Sequence, residues 1–159
     1  MTNNPSIAVL LAAYNGMEWI GEQIASISSQ KNTSIEIFIS VDLSNDKTYE
    51  WCQDLARNNS YIKVLPYGER FGGAAKNFYR LIRDVDFSYF DYIALSDQDD
   101  IWDSDKLHHA ISVIEKDNLD GYSGNVIAFW SDGQERLDKK NFPQKRFDYF
   151  FEAAGPGCT

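Results

Sequence analysis

The chain has 159 residues, of which 43% are hydrophobic and 25% are charged, so it can form a packed core and is not a disordered chain. An excess of acidic over basic residues gives a net charge of -9, which argues against the clustered basic surface of a nucleic-acid-binding protein. No apolar run approaches the roughly 20 residues that span a bilayer, and residues 1–6 lack the basic segment of a signal peptide. The composition therefore predicts a single domain over residues 1–159.

Strand patterns alternate with helix patterns along the first two-thirds of the chain. Residues 7–11 form an apolar run of strand length, the breaker pair Asn15-Gly16 follows, and isoleucines then recur at helical spacing. The later elements are a strand at 35–41, a helix at 48–57, a strand at 61–65, a helix containing Phe78, Leu81, Ile82 and Val85, and a strand at 92–95. A further helix begins near Ser104 and Asp105, 126–130 reads as a strand, and the polar stretch 131–145 predicts no element.

This alternation predicts an α/β fold, with a mainly parallel sheet covered by helices on both faces. In open sheets of this kind, ligands bind at the carboxyl ends of the strands, where the strand order reverses. The polar loops after the first, second and fourth strands are therefore expected to converge on one edge of the sheet.

The loop after the fourth strand is strongly acidic, with carboxylates at Asp97, Asp99 and Asp100. Their mutual repulsion favours a bound cation, and oxygen ligands suit Mg²⁺ or Mn²⁺ bridging to a nucleoside diphosphate. The alternative is a set of solvated loop residues or local caps.

Three other polar positions are ambiguous by themselves. Asp42, after the second strand, either hydrogen-bonds a base or ribose or only shapes a turn. Arg70 and Lys76 flank the Gly72-Gly73 pair at a helix start, where they either neutralise a diphosphate or are surface cations. The chain has neither a complete G-x-G-x-x-G nor a Walker sequence, which argues against dinucleotide and ATP sites.

Four segments, taken in order, resemble family-2 glycosyltransferases of the GT-A fold, close to their bacterial rhamnosyltransferase-like branch. The segments are VLLAAYNG (9–16), ISVDLSNDKT (39–48), GGAAKNF (72–78) and LSDQDDIW (95–102). The second departs from the usual Asp-Asp-Gly-Ser pattern, with Val41 at the first acidic position and Leu43 at the glycine, which leaves the nucleotide preference of that loop open.

The resemblance implies a metal-assisted nucleotide site. Asp97 and Asp99 form its Asp-x-Asp motif, with Asp99 expected to ligate Mn²⁺ or Mg²⁺ directly and Asp42 expected to contact the base. The nucleotide-binding residues implied are Ala12, Ala13, Tyr14, Asn15, Asp42, Lys76, Asp97 and Gln98.

The implied reaction is a single displacement, in which an acceptor hydroxyl attacks the anomeric carbon of a UDP- or dTDP-linked sugar with inversion. The implied acceptor is a saccharide or a lipid-linked sugar of bacterial cell-surface polysaccharide synthesis. The family's catalytic base follows a segment like Gly157-Cys-Thr, so no base is expected within the chain and the fold is expected to be truncated at its C-terminus. The expected location is the cytoplasm, with peripheral association at the inner membrane face left open.

Three other functions stay open. A non-catalytic nucleotide-sugar-binding module would bind without transfer even in a longer chain. A sugar nucleotidyltransferase should have a basic glycine-rich loop after the first strand, whereas residues 12–17 contain no Arg or Lys. A phosphorylated receiver domain should take its acids from the first and third strands, whereas here they follow the second and fourth.

Overall fold

A computed structural model describes residues 4–130 and 132–139 of the chain. The chain divides into two compact units, residues 1–108 and 109–159, so the single-domain organisation stays a prediction. The helices and strands, in chain order, are β1 (Ser6–Ala13), α1 (Ile20–Ser28), β2 (Ser34–Val41), α2 (Thr48–Asn58), β3 (Ile62–Val64), α3 (Ala74–Asp84), β4 (Tyr92–Ser96), α4 (Lys106–Asp117), β5 (Val126–Phe129) and β6 (Glu135–Asp138).

The first unit is built on a four-stranded parallel sheet in the order β3-β2-β1-β4. β1 lies inside this sheet because its residues from Ile7 to Ala13 are all buried, which matches the unbroken apolar run of a strand covered on both faces. The predicted α/β class and mainly parallel sheet are confirmed.

An apolar cluster fixes α3 against the sheet. Leu81 of α3 is fully buried and packs with Leu10 and Ala12 of β1 and with Leu65 after β3. Burying a leucine side chain of this kind stabilises a fold by roughly 2 kcal/mol. Because α3 begins at Ala74 beside the carboxyl ends of β1 and β2, this packing also sets where its N-terminus points.

The second unit contains an antiparallel hairpin of β5 and β6, in which Ile127 is opposite Leu137. β5 confirms the strand predicted near 126–130, but the prediction of no element after it is wrong. The strand β6 has a polar sequence, ERLD, with no alternation to indicate it. Its turn is set by Asp132, whose Oδ1 accepts a hydrogen bond from the Gln134 N–H at 3.0 Å, and by Gly133 at φ 83°. In the described part of the chain, no helix has the length and apolar character to cross a membrane.

Candidate functional site

A pocket of about 520 Å³ lies at the carboxyl ends of the central strands. The chain moves outward from β1 through β2 to β3 and then returns to the other side of β1 as β4, so the strand order reverses between β1 and β4. This is where ligands bind in open α/β sheets. The lining residues come from the loops after β1, β2 and β4 and from the segment leading into α3: Ala12, Ala13, Tyr14, Asp42, Arg70, Gly72, Gly73, Ala74, Asn77, Asp97, Gln98 and Asp99. The predicted convergence of three polar loops is confirmed.

Two of the residues predicted for this site, Asn15 and Lys76, are not among those that line the pocket. Lys76 is exposed on α3. Asn15 adopts a left-handed backbone conformation with φ 47°, and its Oδ1 accepts a hydrogen bond from the Asn45 N–H at 2.9 Å. The Asn15 N–H donates to Ser44 Oγ at 3.0 Å. Asn15 therefore joins the loop after β1 to the loop after β2, beside the pocket.

Gln98 joins the acidic loop to the loop after β1. Its Oε1 accepts a hydrogen bond from the Tyr14 N–H at 2.8 Å, and its Nε2 donates to the Tyr14 carbonyl at 2.9 Å. The amide thus pairs with both backbone groups of one residue, as a neighbouring strand would. Gly16 makes room for it, since a Cβ at that position would lie 2.3 Å from Gln98 Oε1.

Replacing Gly16 by alanine is expected to expel the Gln98 amide from this position. Loss of both hydrogen bonds to Tyr14 should lower the free energy of unfolding by about 1–3 kcal/mol, measured by urea denaturation. Gly21→Ala is the matched control, because a Cβ there meets only the Trp51 ring at 3.5 Å, an ordinary contact within α1. The control should be neutral or stabilising by about 0.5–1 kcal/mol. Equal effects of the two substitutions would contradict the role given to Gln98.

Asp42 is buried, with 4% of its surface exposed, and its carboxylate holds the segment before α3. Oδ1 accepts from the Leu43 N–H at 2.7 Å and the Phe71 N–H at 2.8 Å, and Oδ2 accepts from the Gly72 N–H at 2.8 Å. Burial acts to raise the pKa of Asp42, but the backbone donors, led by Phe71 and Gly72, outweigh it and hold the pKa below its usual value of 3.8. Asp42 is therefore an ionised anchor for the wall that contains Arg70, Gly72 and Gly73.

Asn77, which the sequence analysis did not select, connects β1 and β2 where they reach the pocket. It is 2% exposed, and its Nδ2 donates to the Ser40 carbonyl at 2.9 Å and to the Ala13 carbonyl at 3.3 Å. One signal could have indicated it: Asn77 precedes Leu81 by four positions, so it lies on the apolar face of an amphipathic helix, where a polar residue needs buried partners.

Arg80 supports the same wall from below. It is 6% exposed, its Nη1 donates to Ser40 Oγ at 2.9 Å, and its guanidinium lies 5.4 Å from the centroid of the Phe71 ring. Asp84 balances the charge, with Oδ2 3.3 Å from Arg80 Nε. The buried cation therefore links the end of β2 to the segment that Asp42 holds.

The pocket brings together groups that suit both a cation and an anion. Asp97 and Asp99 line it from the loop after β4, whereas Arg70 and the N-terminal end of α3, with Ala74, line it from another loop. The N-terminus of a helix favours anions because its backbone N–H groups and its dipole present positive charge there. The described residues contain no cluster of three or more side chains that could hold a metal ion. Two carboxylates suit a Mg²⁺ or Mn²⁺ ion that takes its other ligands from water and from a phosphate group.

Comparison with known proteins agrees with this arrangement. Residues 8–156 match the family described as "Glycosyl transferase family 2". The chain is 53% identical over 150 residues to dTDP-rhamnosyl transferase RfbG of Shigella flexneri, an alignment that covers 94% of this chain and 52% of that protein. It therefore spans about half the length of that relative.

Two solved structures show the same fold at low sequence identity. One is S. aureus TarS residues 1–349 in complex with UDP-GlcNAc, with a TM-score of 0.59, 23% identity and coverage of 70% of this chain and 31% of that one. The other is the mannosyltransferase PcManGT from Pyrobaculum calidifontis in complex with GDP-Man and Mn²⁺, with a TM-score of 0.61, 21% identity and coverage of 78% and 35%. Both support the predicted GT-A type of fold.

Proposed function

Because the chain belongs to glycosyltransferase family 2, we propose that its pocket binds a nucleoside-diphosphate sugar together with Mn²⁺ or Mg²⁺. The observation that supports this most directly is the meeting of Asp97 and Asp99 with Arg70 and the N-terminus of α3 in one pocket. A diphosphate needs positive charge on its oxygens, and a carboxylate-bound ion facing a basic wall supplies it from two sides. The complete protein would then transfer the sugar to an acceptor hydroxyl with inversion.

The residues of this chain divide the work of donor binding. Ala12, Ala13 and Tyr14 form the wall at the end of β1 against which the nucleoside lies. Arg70 and the start of α3 stabilise the diphosphate, while Asp97 and Asp99 hold the ion. A divalent ion bound there supplies electrostatic stabilisation of the departing nucleoside diphosphate. The base that deprotonates the acceptor is expected beyond Thr159, so donor binding is the part of the reaction assigned to this chain.

Asp42 and Gln98 act mainly on the shape of the pocket in this proposal. The carboxylate oxygens of Asp42 already accept three backbone hydrogen bonds, and the amide of Gln98 is engaged with Tyr14. Contacts of Asp42 with the base and of Gln98 with the ribose would use the remaining lone pairs of oxygens that also order the loops. Both residues therefore belong to the nucleotide site by position and by the loops they hold.

The proposed donor is a dTDP-linked sugar, rhamnose first, because the relative that is 53% identical is named a dTDP-rhamnosyl transferase. UDP is the alternative nucleotide, since TarS is solved with UDP-GlcNAc. The proposed acceptor is a saccharide or lipid-linked sugar in polysaccharide synthesis at the cytoplasmic face of the inner membrane. A relative from Escherichia coli, 28% identical over 155 residues, has a name that specifies a diphosphoundecaprenol-linked acceptor.

The test is calorimetric titration of the purified chain with dTDP and with UDP, each with and without Mn²⁺. Binding that requires Mn²⁺ and is tighter for dTDP is the expected result. Absence of binding by both nucleotides in all conditions would overturn the proposal. A non-catalytic binding module would give the same titration, so the full-length protein must also be assayed for sugar transfer from a dTDP-linked donor.

A further inference from the structure

The buried side of α1 and the two residues after it contain polar side chains among isoleucines. Gln23 is fully buried, and Ser26 and Gln30 are each 9% exposed. Their spacing of three and four residues places them in one row, here called the polar stripe (Gln23, Ser26 and Gln30). Burying amide and hydroxyl groups is unfavourable unless each one finds a hydrogen-bond partner. The partners identify what the stripe does.

Gln23 contacts the start and the middle of the segment that follows β4. Its amide lies 2.7 Å from Ser96 Oγ. With Oε1 toward Ser96 Oγ and Trp102 Nε1, the latter at 3.2 Å, Nε2 faces the Asp100 carbonyl and Ser26 Oγ, so each polar atom of the amide meets groups of the opposite kind. One side chain thus binds three positions of the segment.

Ser26 and Gln30 bind its remaining length. Ser26 Oγ accepts a hydrogen bond from the Trp102 N–H at 3.0 Å. Gln30 Nε2 donates to the Asp103 carbonyl at 2.6 Å, and Gln30 Oε1 accepts from the Leu107 N–H at 3.0 Å. The stripe therefore contacts the chain repeatedly between Ser96 and Leu107, about 70 or more residues away in sequence.

We infer that the polar stripe is the element that positions the acidic loop, residues 97–105, so that Asp97 and Asp99 face the pocket. This inference rests on the proposed donor site. The loop lies between β4 and α4 and has no strand or helix of its own to pair its backbone groups. Apolar residues on α1 would fill the same volume but would leave the Trp102 N–H and the Asp103 carbonyl without these partners.

The loop is held on two sides, which makes its geometry specific. Gln98 pairs with Tyr14 on the pocket side, whereas Trp102, 4% exposed, is anchored on the α1 side. Asp99 lies between these two attachments. A functional group held only by an irregular loop needs such support to stay within about 0.5 Å of its working position. Gln23, Ser26 and Gln30 are thus positioning residues, since they act on Asp99 through the loop backbone.

The experiment compares Ser26→Ala and Gln23→Leu with wild type and with Ser28→Ala. Ser28 is a matched control because it lies on the same helix, and its Oγ donates to the Ile24 carbonyl of that helix at 2.8 Å and accepts from Tyr61 Oη at 3.3 Å. Amide hydrogen exchange of peptides from 97–107 is measured first, without nucleotide or metal. Calorimetry with dTDP and Mn²⁺ follows.

We expect exchange in 97–107 to rise about tenfold in both stripe variants while β1 and β2 stay protected, and Mn²⁺-dependent affinity to fall about tenfold or more. Ser28→Ala should change neither quantity. Unchanged exchange in 97–107, or an equal rise throughout the chain, would overturn the inference. If Gln23→Leu does not fold, Ser26→Ala alone decides the result. If wild type binds no nucleotide, the donor-site proposal fails while the exchange data still test the stripe.

Discussion

Asp99→Asn is expected to remove the Mn²⁺-dependent part of nucleotide binding, weakening dTDP affinity in the presence of Mn²⁺ by about 100-fold. The substitution keeps the shape of the side chain but removes the negative charge, and an amide oxygen is a much poorer ligand for a divalent ion. Since only Asp97 and Asp99 contribute carboxylates from the acidic loop to the pocket lining, one of the two charges near the ion is lost. Calorimetry of wild type and variant at several Mn²⁺ concentrations measures the effect.

Binding measured without Mn²⁺ separates loss of metal from loss of structure. There the variant should bind dTDP as well as wild type or slightly better, because a negative charge near the diphosphate has been removed. Asp105→Asn is the matched control, since Asp105 is an exposed acid of the same loop that does not line the pocket. A variant that retains full Mn²⁺ dependence, or a control that loses it, would contradict the assignment of Asp99 as the metal ligand.

The course of the main chain could be predicted from the sequence because each element of the first unit has a strong local signal. The apolar run that became β1 and the isoleucine spacing of α1 require no knowledge of partners. The order of polar loops at strand ends then predicted a pocket at one edge of the sheet, and its principal residues, Asp97, Asp99 and Asp42, lie there. β6 was missed because a polar hairpin strand has no alternation to detect.

The contacts inside the site could not be predicted, since they depend on pairs that are far apart in the chain. Gln23 meets Ser96 across 73 residues, and Asn77 meets the Ala13 carbonyl across 64. A buried polar residue on a helix indicates that a partner exists, but not which one. Asn15 shows the same limit in reverse: its place in the motif suggested ligand contact, whereas its side chain satisfies the backbone of a neighbouring loop.

Asp42→Asn is expected to lower the free energy of unfolding at pH 7 by about 2–4 kcal/mol. The carboxylate accepts hydrogen bonds from the backbone N–H groups of Leu43, Phe71 and Gly72. An asparagine amide can accept with its oxygen only, so its NH₂ group must face at least one of these donors without a bond. The buried N–H then lacks a partner, and the wall between Arg70 and α3 is released. Urea denaturation measures the stability, and titration with dTDP should show weaker binding by the same variant.

The pH dependence of this difference identifies the ionised carboxylate as its cause. The pKa of Asp42 is lower in the folded chain than its usual value, so its contribution is present above about pH 4 and is lost as the pH falls through the folded pKa. The stability gap between wild type and Asp42→Asn should therefore be largest near neutral pH and shrink below about pH 4. Asp54→Asn provides the comparison, because Asp54 pairs with Arg57 at the surface, where both side chains are about 70% exposed, and should change stability by less than about 0.5 kcal/mol. A gap for Asp42→Asn that stays constant from pH 7 to pH 3 would show that its stabilisation comes from packing, and the charge-based account of the loop would then be wrong.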